Sequence, residues 1–98
     1  MSLKGKRILI TAGPTWVSLD PVRVISNTAS GETGRRLAYA CAQAGARVTL
    51  LLGPGESPAP DRRICVRRFR FFEELDRSLR SELRKKYDAV VHSAAVSD

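Results

Sequence analysis

The sequence predicts an α/β protein with a mainly parallel sheet. Short apolar runs of strand length alternate with two stretches of helical periodicity, in the order strand, helix, strand, strand, helix, strand. The chain has 98 residues, of which 43% are hydrophobic, which suffices for one small domain with a modest core. These elements amount to about half of a doubly wound domain, so we expect a truncated version of a larger unit.

The first half of the chain predicts a strand, a helix and a second strand. The first strand is the apolar run Arg7 to Thr11, which leads to the turn signal Gly13-Pro14. The helix is predicted from Ser30, a good N-cap residue, to Ala44, with Gly45 ending it. The second strand is predicted over 46–52. The apolar face of the helix is predicted to consist of Leu37, Ala38, Cys41 and Ala44.

The second half predicts a strand, a helix and a further strand. A short third strand over 64–66 has basic flanks and is placed near the edge of the sheet. The second helix is predicted from Phe72 to Lys86, with acidic residues early and basic residues late, as the helix dipole favours. The last strand is predicted over 88–92. The buried face of the helix is predicted to consist of Leu75, Leu79 and Leu83.

A long polar loop with no regular pattern is predicted between the first strand and the first helix. It holds roughly 16 residues, whereas such loops usually take ~2–6. A loop of this length in a compact domain indicates either a wrong assignment or a functional site. We interpret it as a site.

Charge and composition limit the classes of function. The formal net charge of +7 favours an anionic partner, which nucleotide phosphates, nucleic acid or acidic lipid would satisfy. No run approaches the ~18 apolar residues of a membrane span, and no signal peptide is evident, so we expect a cytoplasmic protein without a membrane partner. Cys41 and Cys65 lack metal-ligand spacing and are predicted to be buried, reduced thiols. No metal site is predicted.

Three segments are predicted to meet beyond the carboxyl ends of the strands, where such sheets bind ligands. They are residues 13–15, 30–34 and 93–98. Glycines let the backbone approach a phosphate, and free N–H groups at a helix start bind anions. For Gly31 and Gly34, the alternative is that they only allow close packing of helix on sheet.

Two other classes of function remain as alternatives. An NAD(P)- or flavin-dependent oxidoreductase is disfavoured, because the usual G-x-G-x-x-G is absent and the second strand ends Leu51-Leu52-Gly53-Pro54 without an acidic residue. A non-enzymatic nucleotide or nucleic-acid binding module is suggested by the arginines and phenylalanines of residues 62–72. That segment is better explained as a solvated strand edge whose phenylalanines enter the core, so nucleic acid is a disfavoured partner. His92 lacks a metal-spaced partner and is interpreted as structural.

Four motifs carry a resemblance to a known family. They are Ile10-Thr11-Ala12-Gly13-Pro14-Thr15, Asp20-Pro21-Val22-Arg23, Asn27-Thr28-Ala29-Ser30-Gly31 and Ala94-Ala95-Val96-Ser97-Asp98. Together they closely resemble phosphopantothenoylcysteine synthetase, the ligase half of the bifunctional coenzyme A biosynthesis flavoprotein. The resemblance implies that residues 1–98 are the N-terminal half of a Rossmann-like, three-layer domain.

The resemblance implies a nucleotide-dependent amide ligase. The carboxylate of 4′-phosphopantothenate would be activated by CTP or ATP with Mg²⁺, and the acyl-nucleotide would then react with the amine of cysteine. It also allows a homodimer and a flavin-dependent decarboxylase, fused or separate. The family's lysine-rich segment lies beyond Asp98, so we expect the 98-residue chain alone to be inactive as a ligase.

The resemblance also implies roles for individual residues. Asn27 would contact the phosphopantothenate side and stabilise the acyl-nucleotide as the catalytic residue, although an asparagine can equally cap a turn. Arg23 would meet a phosphate or pair with Asp20. Ala29 stands where many members have a serine, which removes one potential contact. The nucleotide-binding set is Gly13, Pro14, Thr15, Ala29, Ser30, Gly31 and Gly34, and the substrate-binding set is Arg23, Asn27, Ala94, Ala95 and Asp98.

Overall fold

The fold alternates strands and helices, as the sequence predicts. The computed structural model describes residues 2–18, 24–26, 31–55 and 61–96. The elements in chain order are β1 (Arg7–Ala12), β2 (Trp16–Ser18), β3 (Val24–Ser26), α1 (Glu32–Gln43), β4 (Arg47–Leu52), β5 (Ile64–Arg68), α2 (Phe72–Glu82) and β6 (Ala89–His92). No helix among the described residues is long and apolar enough to cross a membrane.

The main sheet has four parallel strands in the order β5-β4-β1-β6. In register, Ile8 lies between Val48 of β4 and Ala89 of β6. The first strand is therefore central, and β5 lies at an edge as predicted. Because all four strands run in one direction, their carboxyl ends share one edge of the sheet, which we call the carboxyl edge, and their starts share the opposite, amino edge.

Helices cover both faces of the sheet, which gives the three layers that the sequence predicts. Alternate residues of the central strands face opposite ways, so Ile8 and Ile10 pack towards α1 while Leu9 packs towards α2. Each such side chain, once buried, contributes about 1.5–3 kcal/mol. On the α1 side the core includes Ala38, Ala42, Val48, Leu50 and Leu52, and on the α2 side it includes Leu51, Phe69 and Leu75.

The predicted irregular loop after β1 was partly wrong. Two short strands, β2 and β3, pair antiparallel within it, with Trp16 opposite Ser26. Trp16 is anchored beyond this pair, because its N–H donates to the carbonyl of Arg70 at 2.6 Å and its ring meets Phe71 edge to face. Three-residue strands are too short to show a reliable alternation in sequence, so periodicity could not detect them.

The predicted boundaries of both helices also need correction. The N-cap position of α1 is Gly31, with φ of 78°, rather than Ser30, which lies outside the described residues. Gly45 does follow the C-cap of α1 with a positive φ of 104°, as predicted. The second helix ends at Glu82 rather than Lys86, and Leu83 is 55% exposed rather than buried.

A buried carboxylate explains the early end of α2. Glu82 is only 2% exposed, and its carboxylate accepts hydrogen bonds from the Tyr87 hydroxyl at 2.6 Å and from Arg67 at 2.8 Å. Lys85 adds an ion pair at 3.0 Å, and the Tyr87 hydroxyl also lies 3.0 Å from the hydroxyl of Thr49. The chain must turn after Glu82 for Tyr87 to reach back to it, so the helix cannot continue through 83–86.

The cysteines differ from the prediction of two buried thiols. Cys41 on α1 is half-buried, but Cys65 on β5 is exposed. Both are free thiols. The exposure of Cys65 follows from its place on an edge strand, beyond the cover that α2 provides.

Candidate functional site

The segment after β1 is bonded directly to the segment after β6 at the carboxyl edge. The N–H of Ala95 donates to the carbonyl of Gly13 at 2.9 Å, and the N–H of Thr15 donates to the carbonyl of Ala95 at 3.2 Å. Pro14 and Ala95 form an isolated parallel bridge. Two of the three segments predicted to meet beyond the strands are therefore joined by backbone hydrogen bonds.

The start of α1 closes onto the same edge through glycines. A Cβ on Gly31 would lie 3.0 Å from the backbone nitrogen of Gly13, and Gly31 itself has the positive φ that glycine tolerates. A Cβ on Gly34 would overlap the Cβ of Ala12 and lie 2.9 Å from the hydroxyl of Ser93. Both glycines therefore do allow close packing of helix on sheet, as the alternative interpretation expects. This close approach also brings the start of α1 to the carboxyl edge.

The first turn of α1 presents backbone donors without a side-chain cap. Gly31 has no side chain with which to cap the N–H groups that follow it. The N–H of Arg35 donates to the carbonyl of Gly31 at 3.0 Å, which leaves the N–H groups of the residues between them before the first helical bond. Free N–H groups and the positive end of the helix dipole together favour an anion such as a phosphate.

Other predicted donors at this edge are already used within the protein. The N–H groups of Thr15 and Ala95 bond to the neighbouring segment, and the N–H of Ala94 donates to the Thr11 hydroxyl at 3.3 Å. These residues therefore shape the edge through their small side chains and carbonyl groups. Among residues 2–18, 31–55 and 61–96, the backbone donors best placed for a ligand at this edge are those at the start of α1.

Sequence reasoning missed Gly53 at this edge, and it gave Ser93 of the predicted segment 93–98 no role of its own. Gly53 follows β4, and a Cβ there would overlap the carbonyl oxygen of Pro14 and lie 3.1 Å from the ring of Phe69. Ser93 donates from its hydroxyl to the carbonyl of Thr11 at 2.6 Å. The glycine-proline pair after a buried strand was a usable signal for Gly53, since it marks the same edge as Gly13-Pro14.

A histidine at the end of β6 is held by a buried threonine. Thr11 is fully buried, and its hydroxyl lies 2.6 Å from Nδ1 of His92. The same hydroxyl oxygen accepts a hydrogen bond from the N–H of Ala94 at 3.3 Å. The contact supports a structural role for this histidine.

Several residues predicted for the site lie outside the described residues. These are Arg23, Asn27, Ala29, Ser30 and Asp98. The described members, Gly13, Pro14, Thr15, Gly31, Gly34, Ala94 and Ala95, all lie at the carboxyl edge. Their placement together is observed, and their roles in binding stay predictions.

The arginines near residues 62–72 are largely engaged within the protein. Arg67 pairs with Glu82, Arg70 pairs with Glu74, and Arg63 pairs with Asp61. Arg68 donates to the carbonyls of Gly53 and Gly55. Phe69 is buried in the core. These contacts agree with the interpretation of this segment as a strand edge and weaken the nucleic-acid alternative.

The described residues offer no ready-made metal centre. No group of three or more histidine, cysteine, aspartate or glutamate residues among them stands where it could hold an ion.

Comparison with known proteins assigns the family. Residues 3–98 match the family described as "DFP: DNA/pantothenate metabolism flavoprotein C-terminal domain". The chain belongs to this family. It is 43% identical over 99 residues to the coenzyme A biosynthesis bifunctional protein CoaBC of Thermococcus kodakarensis, which covers 99% of this chain and 24% of that protein. It is 60% identical over 58 residues to CoaBC of Vibrio cholerae, which covers 59% of this chain and 14% of that protein.

A solved structure agrees in fold. The crystal structure of the C-terminal domain of CoaBC superposes with a TM-score of 0.86 and 35% identity, over 98% of this chain and 48% of that one. The chain thus spans a quarter or less of the curated relatives it matches, and about half of the solved domain. The family resemblance identified in the sequence is confirmed.

Proposed function

We propose that this chain forms the nucleotide-binding half of an amide ligase that joins 4′-phosphopantothenate to cysteine in coenzyme A biosynthesis. Homology to CoaBC over nearly the whole chain supports a role in that pathway and a ligase-like enzyme. The observation that carries the proposal is the uncapped start of α1, packed through Gly31 against Gly13 at the carboxyl edge.

The start of α1 suits the binding of a triphosphate. CTP or ATP would place its phosphates against the first-turn N–H groups, and Mg²⁺ would accompany those phosphates. The substrate carboxylate would attack the α-phosphorus with loss of pyrophosphate, and the cysteine amine would then displace the nucleotide monophosphate from the acyl carbon. Both steps need positioning and charge neutralisation more than a protein nucleophile.

Asn27 is the residue we propose to act in the second step. A side-chain amide donates a hydrogen bond to a developing oxyanion without being titrated. Arg23, Ala94, Ala95 and Asp98 are proposed to line the substrate side, and Ala29 and Ser30 the nucleotide side. The relatives are described as bifunctional, which supports a decarboxylase that is fused or associated, and a homodimer is part of the same proposal.

A chimaeric enzyme tests this proposal without requiring the isolated chain to be active. Residues 3–98 replace the matching segment of Thermococcus kodakarensis CoaBC, and the chimaera receives 4′-phosphopantothenate, cysteine and either CTP or ATP. We expect pyrophosphate release and an amide product detected by mass spectrometry. In the chimaera, Asn27→Ala should lose amide formation by about 100-fold, whereas Gln43→Ala, exposed at the end of α1, should have no effect.

The outcome that contradicts the proposal is a folded chimaera that releases no pyrophosphate with either nucleotide. The isolated 98-residue chain should form no amide under the same conditions, because the rest of the domain is needed to hold the substrates. Amide formation by the isolated chain would show that the rest of the domain is not needed to hold the substrates.

A further inference from the structure

Most basic side chains of the described residues that form no ion pair and donate to no carbonyl lie at the amino edge of the sheet, away from the proposed ligand site. Most of the other described lysines and arginines form ion pairs or donate to carbonyls. Arg35 on α1 makes an interaction of its own, and apart from Arg77 on α2 the remaining described lysines and arginines lie at the amino edge. We call this set the basic edge: Lys4, Lys6, Arg7, Arg47, Arg62, Arg84 and Lys86, all exposed.

The sheet register arranges this set as a row. Arg7 and Arg47 are direct partners on adjacent strands, and the N–H of Arg47 donates to the carbonyl of Lys6 at 2.9 Å. The carbonyl of Arg63, next to Arg62, accepts from Val48 at 2.8 Å on the other side of β4. Neighbouring strands lie about 4.8 Å apart, so the row crosses the four strand starts within about 15 Å.

Fold stability does not account for this row. Cations near helix C-termini are favourable, and α1 and α2 both end at this edge, which accounts for Arg84 and Lys86. Lys6, Arg7 and Arg47 precede or begin strands instead. Like charges directly opposite each other on neighbouring strands, as in the Arg7–Arg47 pair, are destabilising. Acidic groups at this edge are used locally: Asp61 pairs with Arg63, and Asp88 accepts from the N–H of Arg7.

We propose that the basic edge is a docking surface for a carboxylate-rich surface of another folded protein unit. Carboxylates complement exposed guanidinium groups with paired hydrogen bonds. Nucleic acid fits less well, because the ring of Tyr87 lies under the Arg7 guanidinium at 5.1 Å and is not free to stack on bases. In CoaBC relatives the matching segment is a quarter or less of the polypeptide, so other folded units stand beside it there.

The test measures binding of a fluorescein-labelled glutamate peptide of about 12 residues to the full chain by fluorescence anisotropy at low salt. Two double variants are compared. The first, called the rim variant, changes two residues of the basic edge, Arg47→Gln/Lys86→Gln. The control, Arg36→Gln/Arg77→Gln, removes the same charge from exposed positions elsewhere. We expect the rim variant to bind roughly tenfold more weakly and the control to change by less than about twofold. Amide shifts in ¹⁵N spectra should then cluster at residues 4–7, 47, 62 and 84–88.

Three results would overturn the proposal. One is the absence of any binding at low salt. Another is an equal loss of affinity in the rim variant and the control, which would indicate attraction by net charge alone. The third is tighter binding of an oligonucleotide of equal charge that depends on Arg47 and Lys86, which would make the edge a nucleic-acid surface. Circular dichroism of both variants verifies that they are folded, and neither change touches the core.

Discussion

Substitution of Gly34 by alanine tests how α1 is seated on the sheet. In an exposed helix this change stabilises by about 1 kcal/mol, because alanine is the better helix former. Here the new methyl group would overlap the Cβ of Ala12 and approach the Ser93 hydroxyl to 2.9 Å. The Cβ of Ala12 is fixed to the backbone and cannot move aside, and the Ser93 hydroxyl can rotate away only by losing its hydrogen bond to the Thr11 carbonyl.

The structural costs exceed the gain in helix propensity. Overpacking of a well-packed core costs about 1–3 kcal/mol. Loss of the hydrogen bond from Ser93 to the Thr11 carbonyl adds about 0.5–1.5 kcal/mol. The net expectation is a loss of about 1–3 kcal/mol, and each kcal/mol lowers Tm by about 4–8 °C in a domain of this size.

Urea unfolding followed by far-ultraviolet circular dichroism measures this loss. Thr33→Ala, an exposed neighbour on the same turn, is the matched control and should be neutral or slightly stabilising. The double variant Ala12→Gly/Gly34→Ala moves the methyl group from strand to helix and should recover part of the loss, giving a measurable coupling energy. A Gly34→Ala variant as stable as Thr33→Ala would refute the close seating of α1.

Further predictions concern Glu82, Thr11 and Gly31. Burial acts to raise the pKa of Glu82, but hydrogen bonds from Tyr87 and Lys85 and nearby positive charge outweigh it and lower that pKa. Its contribution to stability is therefore present above the usual glutamate pKa of about 4.3 and lost as pH falls through the lower folded pKa. Urea unfolding at several pH values should show this loss in the native chain and not in Glu82→Gln. Thr11→Val should change the ¹⁵N shift of His92 Nδ1, the single histidine of the chain, and cost about 1–3 kcal/mol, whereas Thr11→Ser should preserve both. Gly31→Ala, at φ of 78°, should lower the free energy of unfolding by about 1 kcal/mol or more. In the chimaera the same substitution should raise KM for the nucleotide. An unchanged KM would show that the start of α1 is not the phosphate site.

The main sheet was predictable because each strand is a compact apolar run bounded by strong breakers. Burial on both faces makes β1 and β4 almost uniformly hydrophobic, and Gly13-Pro14 and Gly53-Pro54 mark their ends. The edge position of β5 followed from its charged residues. The meeting of residues 13–15 with 94–95 was also predictable, because the carboxyl ends of parallel strands lie at the same edge of a sheet.

Other features depend on tertiary contacts that no local pattern encodes. The end of α2 is set by Tyr87, five residues beyond Glu82, so the favourable charge pattern of 83–86 gave too long a helix. Leu83 matches helical spacing yet is exposed, because it lies after the last turn. The residues with the most specific proposed chemistry, Asn27 above all, were identified by family resemblance, since a single amide in a loop has no periodicity to reveal it.

The central position of β1 has a consequence for how the chain acquires its structure. Its two neighbours are formed about 40 and 80 residues later, as the pairs Arg7–Arg47 and Ile8–Ala89 show. During synthesis β1 must therefore stay unpaired and apolar until β4 has emerged, and its other edge stays open until β6 follows. Long-range parallel pairing of this kind folds slowly compared with helical bundles. The interval before β6 arrives is when nascent chains are most exposed to aggregation.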